Sequence, residues 1–202
     1  MTSSKRLFDL VAALILGLIL LPIIFVTGAA ILMLDGRPVF YVSERMRAPN
    51  EPFALVKFRT MKPASTDNGV TGGHKSDRIT RTGRFLRRTR LDEVPQIWNI
   101  LRGDISFVGP RPPLRQIVEQ FPDIYGAVLR SRPGVTGLAS IIYHGHEERL
   151  LSRCATREET EAIYARACVP RKARLDLIYQ ANRSLCLDMK LMLKTVFPRV
   201  PL

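Results

Sequence analysis

Leu10–Leu34 reads LVAALILGLILLPIIFVTGAAILML, 25 residues without a charge. A straight helix of that length is about 37 Å long, enough for a hydrocarbon core of ~30 Å. The run exceeds the apolar region of a cleaved signal peptide, and no ordinary secreted domain follows it. A membrane protein is therefore expected. Pro22 stands at the midpoint of the run, removes a backbone donor and biases Leu21 away from helical dihedrals. Two paths are open: a kinked span, since transmembrane helices tolerate proline, or a bent hairpin that enters and leaves on one face. Each arm of such a hairpin, roughly a dozen residues, would reach about 17 Å, only halfway through the core. Lys5 and Arg6 precede the run, and the 168 residues after it carry 29 Lys and Arg against 17 Asp and Glu. Positive charge on both flanks favours neither orientation of a single span.

The whole chain has 202 residues, 46% of them hydrophobic, and a formal net charge of +13. That length suits one domain with a real core. The charge points to an anionic partner: nucleic acid, a phosphorylated small molecule or an anionic membrane face. Cys154, Cys168 and Cys186 are odd in number and lack metal-site spacing, so they read as reduced thiols of a cytoplasmic domain.

Beyond Leu34 the pattern is that of a water-facing α+β domain. RPVFYVS and PFALVKFRTM read as two short strands joined by a turn at Ala48-Pro49-Asn50-Glu51, and a polar loop from Pro63 to Asp77 is long enough to move over a substrate. In LDEVPQIWNILRGDISFVGPRP, residues 91–112, Val94, Ile97, Trp98 and Leu101 recur at helical spacing. Gly103 stands where a C-terminal cap belongs. Asp92 is expected as the N-cap, with Glu93 in the first turn. The plain meaning of that pair is capping.

The surrounding charge suggests more. Arg78, Arg81, Arg84, Arg87, Arg88 and Arg90 lie upstream, several at spacings that share a helical side. Downstream, Gly109-Pro110-Arg111-Pro112-Pro113 holds Arg111 in a stiff turn suited to a bidentate phosphate contact. Two carboxylates beside arginines can share a phosphate and a divalent cation; Mg²⁺ takes one or two carboxylates together with phosphate oxygens. Such a carboxylate could attack phosphorus, with the arginines neutralising departing charge.

KRLFD, FALVKFRTM, RITRTGRFLRRTRLDEVPQIWNILRGDISFVGPRP, RPGVTGL and DLIYQANRSLCLDMKLMLKT together resemble the bacterial sugar transferase family, the monotopic phosphoglycosyl transferases, over nearly the whole chain. The resemblance implies an α+β fold. An N-terminal re-entrant membrane hairpin, residues 1–34 and bent at Pro22, precedes a cytoplasmic catalytic domain, residues 35–202, of helices, a small β-sheet or hairpin and interfacial amphipathic helices. It implies transfer of a phosphosugar from a UDP-sugar to polyprenyl (undecaprenyl) phosphate with release of UMP. The setting is the cytoplasmic face of the bacterial inner membrane, at the first membrane step of glycoconjugate or exopolysaccharide synthesis. Asp92 matches the family's catalytic aspartate, which forms an aspartyl-phosphosugar, and Glu93 its partner in Mg²⁺ or proton handling. Both would hold Mg²⁺. Arg111 and Arg87 match phosphate-holding arginines, and Lys57 and Arg59 match basic residues of the KFR strand. Asp104 belongs to the GD motif, as metal support or as a brace of the turn.

The chain departs from the family's pattern in places. Leu21 replaces a frequent serine before the membrane proline, Met46-Arg47 falls where a glycine is usual, and RPGVTGLASIIYHGH carries Leu138 and Ser140 without an Asn-Gly-Arg. The donor sugar is accordingly left open. His144 and His146 would share a side only on a strand, and no third ligand has convincing spacing, so a polar loop or substrate contacts are expected there. REETEAIYARACVPRKAR reads as a solvated helix and a basic turn. The stretch from Leu185 to Val200, with Lys190, Lys194 and Arg199, suits an interfacial helix on anionic phospholipid. Nucleic acid is not expected as a partner, because no zinc finger or RNA-recognition signature is present; a homodimer is admitted. The alternatives are an inactive structural member of a polysaccharide assembly complex and a membrane-tethered nucleic-acid binder.

Overall fold

Ser3–Leu34 forms one helix, α1, in the computed structural model, which describes residues 2–63 and 73–197. The Thr2 hydroxyl caps it by accepting from the Lys5 N–H at 3.3 Å. Pro22 lies inside the helix and does not separate two elements. Asp9, Ala13, Thr27 and Ile31 are buried, while Gly17 faces Ile97 and Gly28 faces Val39. With the partly buried Leu20 and Ile24 between them, these positions recur every three or four residues, so one stripe running past Pro22 packs on the rest of the chain. The other faces leave Leu14, Leu18, Ile19, Phe25, Val26 and Met33 exposed. The helix is long and apolar enough to cross a membrane.

The two expected strands form an antiparallel hairpin, β1 (Phe40–Ala48) and β2 (Glu51–Phe58). Its register runs from Phe40↔Phe58 to Met46↔Pro52, with an irregularity before Ala48. Alternation puts Phe53 and Leu55 on one side, where they pack with Ala13, Ile100 and Ile105. Phe58, on the other side, packs with Ile31 and Leu86. Much of the expected polar loop, residues 64–72, lies outside the described residues; Gly73–Arg78 is a 3-10 helix.

α2 (Arg81–Thr89) follows, capped by Thr80, whose hydroxyl accepts from Gly83 N–H at 2.9 Å. Arg90 then adopts a left-handed conformation, φ 62°. Leu91–Gln96 is a 3-10 turn and Ile97–Arg102 is α3, closed by Gly103 at φ 87°. The expected N-cap role of Asp92 is thus corrected: Arg90 occupies the cap position, and Asp92 sits in the first turn. The expected apolar face also shifts. Trp98 is 57% exposed, and Asn99 and Ile100 are fully buried, because a 3-10 turn has three residues per turn and rotates the face.

β3 (Ser106–Val108) and β4 (Gly134–Thr136) pair in parallel. Between them lie α4 (Arg115–Gln120) and α5 (Pro122–Val128). A Cβ on Gly134 would stand 2.2 Å from the Gly109 nitrogen, so this strand crossing requires glycine. The elements that follow among the described residues are helical: α6 (Leu138–Leu151), α7 (Arg157–Ile163), a π turn (Tyr164–Cys168), α8 (Val169–Asn182) and α9 (Leu185–Val196). Two expectations change here. The His144 segment is a helix and not a loop, and VPRKAR opens α8 instead of forming a turn, with Lys172 buried. Cys154 and Cys168 are buried free thiols, and Cys186 is exposed.

The N-terminus is tied to this body by polar contacts. Lys5 pairs with Asp188 of α9, whose other oxygen accepts from Tyr179 Oη at 2.6 Å. Arg6 donates to the Ile100 and Leu101 carbonyls at 2.7 and 2.8 Å. Those carbonyls end α3, where a cation is favoured by the helix dipole.

Candidate active site

Glu93 gathers the site. Its Oε1 accepts from Lys57 Nζ at 2.7 Å and from both Nη atoms of Arg111 at 3.3 Å. Lys57 comes from β2, Glu93 from the 3-10 turn, and Arg111 from the turn after β3. Three distant segments therefore meet at one carboxylate oxygen.

Each segment is fixed by backbone chemistry. Asn99, wholly buried, donates to the Ala54 carbonyl at 2.7 Å and accepts from the Val56 N–H at 3.0 Å. Its amide thereby acts as one more pairing partner on the outer edge of β2, and locks the 3-10 turn and α3 beside Lys57. Around Arg111, the Pro110 carbonyl accepts from Gly134 N–H at 2.8 Å and the Pro113 carbonyl from Met46 N–H at 3.0 Å. Arg45 Nη1 donates to the Pro112 carbonyl at 3.3 Å. The proline turn is thus pinned on both sides of its arginine, while the Arg111 side chain remains 41% exposed.

Charge follows geometry. Burial would raise the Glu93 carboxyl, but Arg111 and Lys57 overcome it and hold the group down at about 2. Burial and the Arg111 charge draw the Lys57 ammonium down to about 8, against the pull of Glu93. Asp92 moves the other way: burial, then the adjacent Glu93 charge, raises it, with Lys57, Arg87 and Arg111 opposing. Two neighbouring carboxylates are thus pushed apart in proton affinity, a pattern typical of acid, base and nucleophile pairs. Burial, followed by Arg90, lowers His144, which puts this turn of α6 within reach of the same field.

Of the residues singled out in the sequence, Asp92, Glu93, Lys57 and Arg111 converge. Arg87 adjoins them: its Nε donates to Thr60 Oγ1 at 2.9 Å and its charge bears on Asp92. Arg59 is corrected. It is buried, and its Nη atoms donate to the carbonyls of Asp35, Gly36 and Arg37 at 2.7, 2.6 and 3.2 Å. Those carbonyls follow the end of α1, so this guanidinium clamps α1 to the hairpin. Asp104 accepts from Asn99 Nδ2 at 3.0 Å, with Arg47 and Arg102 at 3.8 and 3.7 Å; it braces the support of the site. Asn99 and Arg45 were not singled out in the sequence, since an asparagine in an apolar helix and an arginine in a strand carry no signal of their contacts.

Among the described residues no group of three or more His, Cys, Asp or Glu could hold a metal ion. The Asp92–Glu93 pair still fits Mg²⁺, which can take its other ligands from phosphate and water. Burial first and then the Glu93 charge raise Asp92, and a cation would relieve the second of these.

A family model described as Bacterial sugar transferase matches residues 1–200. A UDP-glucose:undecaprenyl-phosphate glucose-1-phosphate transferase of Klebsiella pneumoniae is 34% identical over 197 residues, 96% of this chain and 39% of that protein. A UDP-N-acetylgalactosamine-undecaprenyl-phosphate N-acetylgalactosaminephosphotransferase of Aeromonas hydrophila is 32% identical over 198 residues, 95% of this chain and 42% of that protein. An uncharacterized sugar transferase of Bacillus subtilis is 36% identical over 195 residues, 95% of this chain and 85% of that protein. The chain therefore spans well under half the length of the first two relatives.

Proposed function

Because the chain belongs to the bacterial sugar transferase family, we propose that it transfers a phosphosugar from a UDP-sugar to a polyprenyl phosphate and releases UMP. The observation that carries this reading is the convergence of Lys57 and Arg111 on Glu93, next to Asp92. In the first step an Asp92 carboxylate oxygen attacks the β-phosphorus. The Oδ–P bond forms as the bond from that phosphorus to the bridging oxygen of UMP breaks, and the electron pair leaves with UMP. In the second, a phosphate oxygen of the polyprenyl phosphate attacks the same phosphorus and frees the Asp92 carboxylate. Lys57, Arg87 and Arg111 neutralise charge on the phosphates, and the pinned turn lets Arg111 make a fixed fork. Asp92 and Glu93 would hold Mg²⁺, which when bound supplies further neutralisation of phosphate charge.

The membrane path belongs to the same reading. A helix crossing the bilayer perpendicularly would carry one end about 30 Å from the domain. Here Lys5 pairs with Asp188 near one end of α1, and Ile31 packs with Phe58 near the other. These contacts support a monotopic course in which both ends of α1 stay on one side, and the proposal places that side at the cytoplasmic face of the inner membrane. Exposed Leu185, Met189, Leu193 and Phe197 along α9 and just beyond it support contact with phospholipid.

The test is UMP release from purified full-length chain given Mg²⁺, polyprenyl phosphate and each of a panel of UDP-sugars. Release with at least one donor, strongly reduced in Arg111→Ala and only partly restored in Arg111→Lys, is expected. No release with any donor would favour an inactive structural member.

A further inference from the structure

Arg45 has no task in the reaction above. It projects from β1, on the side of the hairpin that carries Tyr41 and Lys57, which are register partners. Its Nη1 donates to the Pro112 carbonyl at 3.3 Å and its Nε to Ser43 Oγ at 3.5 Å. Its Nη2 has no acceptor among the described residues. No carboxylate there forms an ion pair with it either, although the Glu93 and Arg111 charges both act on it.

The local balance of charge is therefore unequal. Lys57 and Arg111 share Glu93, and Arg45 brings a further cation without a counter-charge. Burial, then the charge of Arg111, draws its guanidinium down to about 10. A half-buried guanidinium whose Nη2 edge has no acceptor among the described residues can take an anion there. Phosphate matches the planar fork of N–H groups of Arg45, which touches the Pro112 carbonyl, and of Arg111, the residue before it.

We propose that Arg45 is a substrate-contacting residue whose Nη2 edge holds a phosphate oxygen of the bound nucleoside diphosphate beside Arg111, while its Nη1 fixes the turn that aims Arg111. The contact rests on the phosphosugar-transfer reading of the site and adds a cation to it.

Binding of UDP and of uridine to detergent-solubilised full-length chain tests it, through the ratio of the two affinities. A residue that merely holds the fold would weaken both ligands together, and one that only aims Arg111 would leave the ratio unchanged in an Arg111→Ala background. A direct contact still lowers it there, and no effect in that background overturns the contact. A phosphate contact weakens UDP alone, so Arg45→Gln should lower the ratio about tenfold or more, as expected for a charge-assisted hydrogen bond. Arg45→Lys, the milder change, should lower it less. A ratio equal to wild type in both variants overturns the contact while leaving the proposed reaction standing. Wild-type chain that binds UDP no better than uridine overturns both.

Discussion

Glu93 accepts on one oxygen from a lysine of the hairpin and an arginine of the proline turn, and Lys57 is the more easily titrated side of that contact. The sequence made the carboxylate pair and the flanking arginines legible, because Asp-Glu between an arginine-rich helix and a proline-held arginine is an unusual concentration of charge. It gave no means of separating Lys57 from Arg59, two positions apart on one strand. Only the fold distinguishes them: one reaches Glu93, and the other meets the carbonyls that end α1. Lys57 gives a pH prediction. With its ammonium held at about 8, phosphate-dependent activity should fall as pH rises through about 8, and Lys57→Arg should move that fall to higher pH. The linked stability has the opposite sign. A lysine depressed in the folded state costs stability while protonated, and the cost is relieved between about 8 and the unfolded value of about 10.4. UMP release and thermal unfolding measured across that range should diverge, activity falling while lysine titration favours the fold. A fall that coincides with unfolding, or one unchanged in Lys57→Arg, would remove the lysine from this role.

The hairpin was legible as an element because its two apolar runs flank a Pro-Asn turn, and the structure places β1 and β2 there. The helix after Asp92 was legible only in part. Its C-terminal glycine marks the end of α3, but the sequence has no sign that a left-handed Arg90 and a 3-10 turn begin the segment. Long-range pairing decided that. Asn99 meets the outer edge of β2, and this contact fixes the rotation of the element. α6 was missed because Gly145 and the nearby histidines weaken its helical pattern, whereas packing against α8 and α9 stabilises it. Asn99→Ala should cost roughly 1–3 kcal/mol, since it leaves the Val56 N–H and Ala54 carbonyl without that partner, and should slow UMP release by shifting the carboxylate turn from Lys57. Thermal unfolding and kinetics of the same variant check both parts. Wild-type stability with wild-type rate would mean that the turn is held by other contacts.

For the whole molecule, net charge named the kind of partner but not which one. The apolar segment announced a membrane, and what it could not announce was the stripe on α1 that packs on the domain past Pro22, because that stripe depends on residues far along the chain. If both ends of α1 stay on one side, a cysteine at Ser3→Cys and the exposed native Cys186 should both resist an impermeant thiol reagent added outside intact cells and react once the cytoplasm is opened. Outside labelling of the first with protection of the second would mean a true span. The central claim is that this chain carries a phosphosugar on Asp92, and intact-protein mass spectrometry of the purified chain with UDP-sugar and Mg²⁺, before any polyprenyl phosphate is added, tests it most directly. The account predicts a mass increase equal to the phosphosugar, absent in Asp92→Asn and formed more slowly in Glu93→Gln. An adduct that persists in Asp92→Asn and vanishes in Glu93→Gln, or a fully active Asp92→Asn with no adduct on any variant, would contradict it.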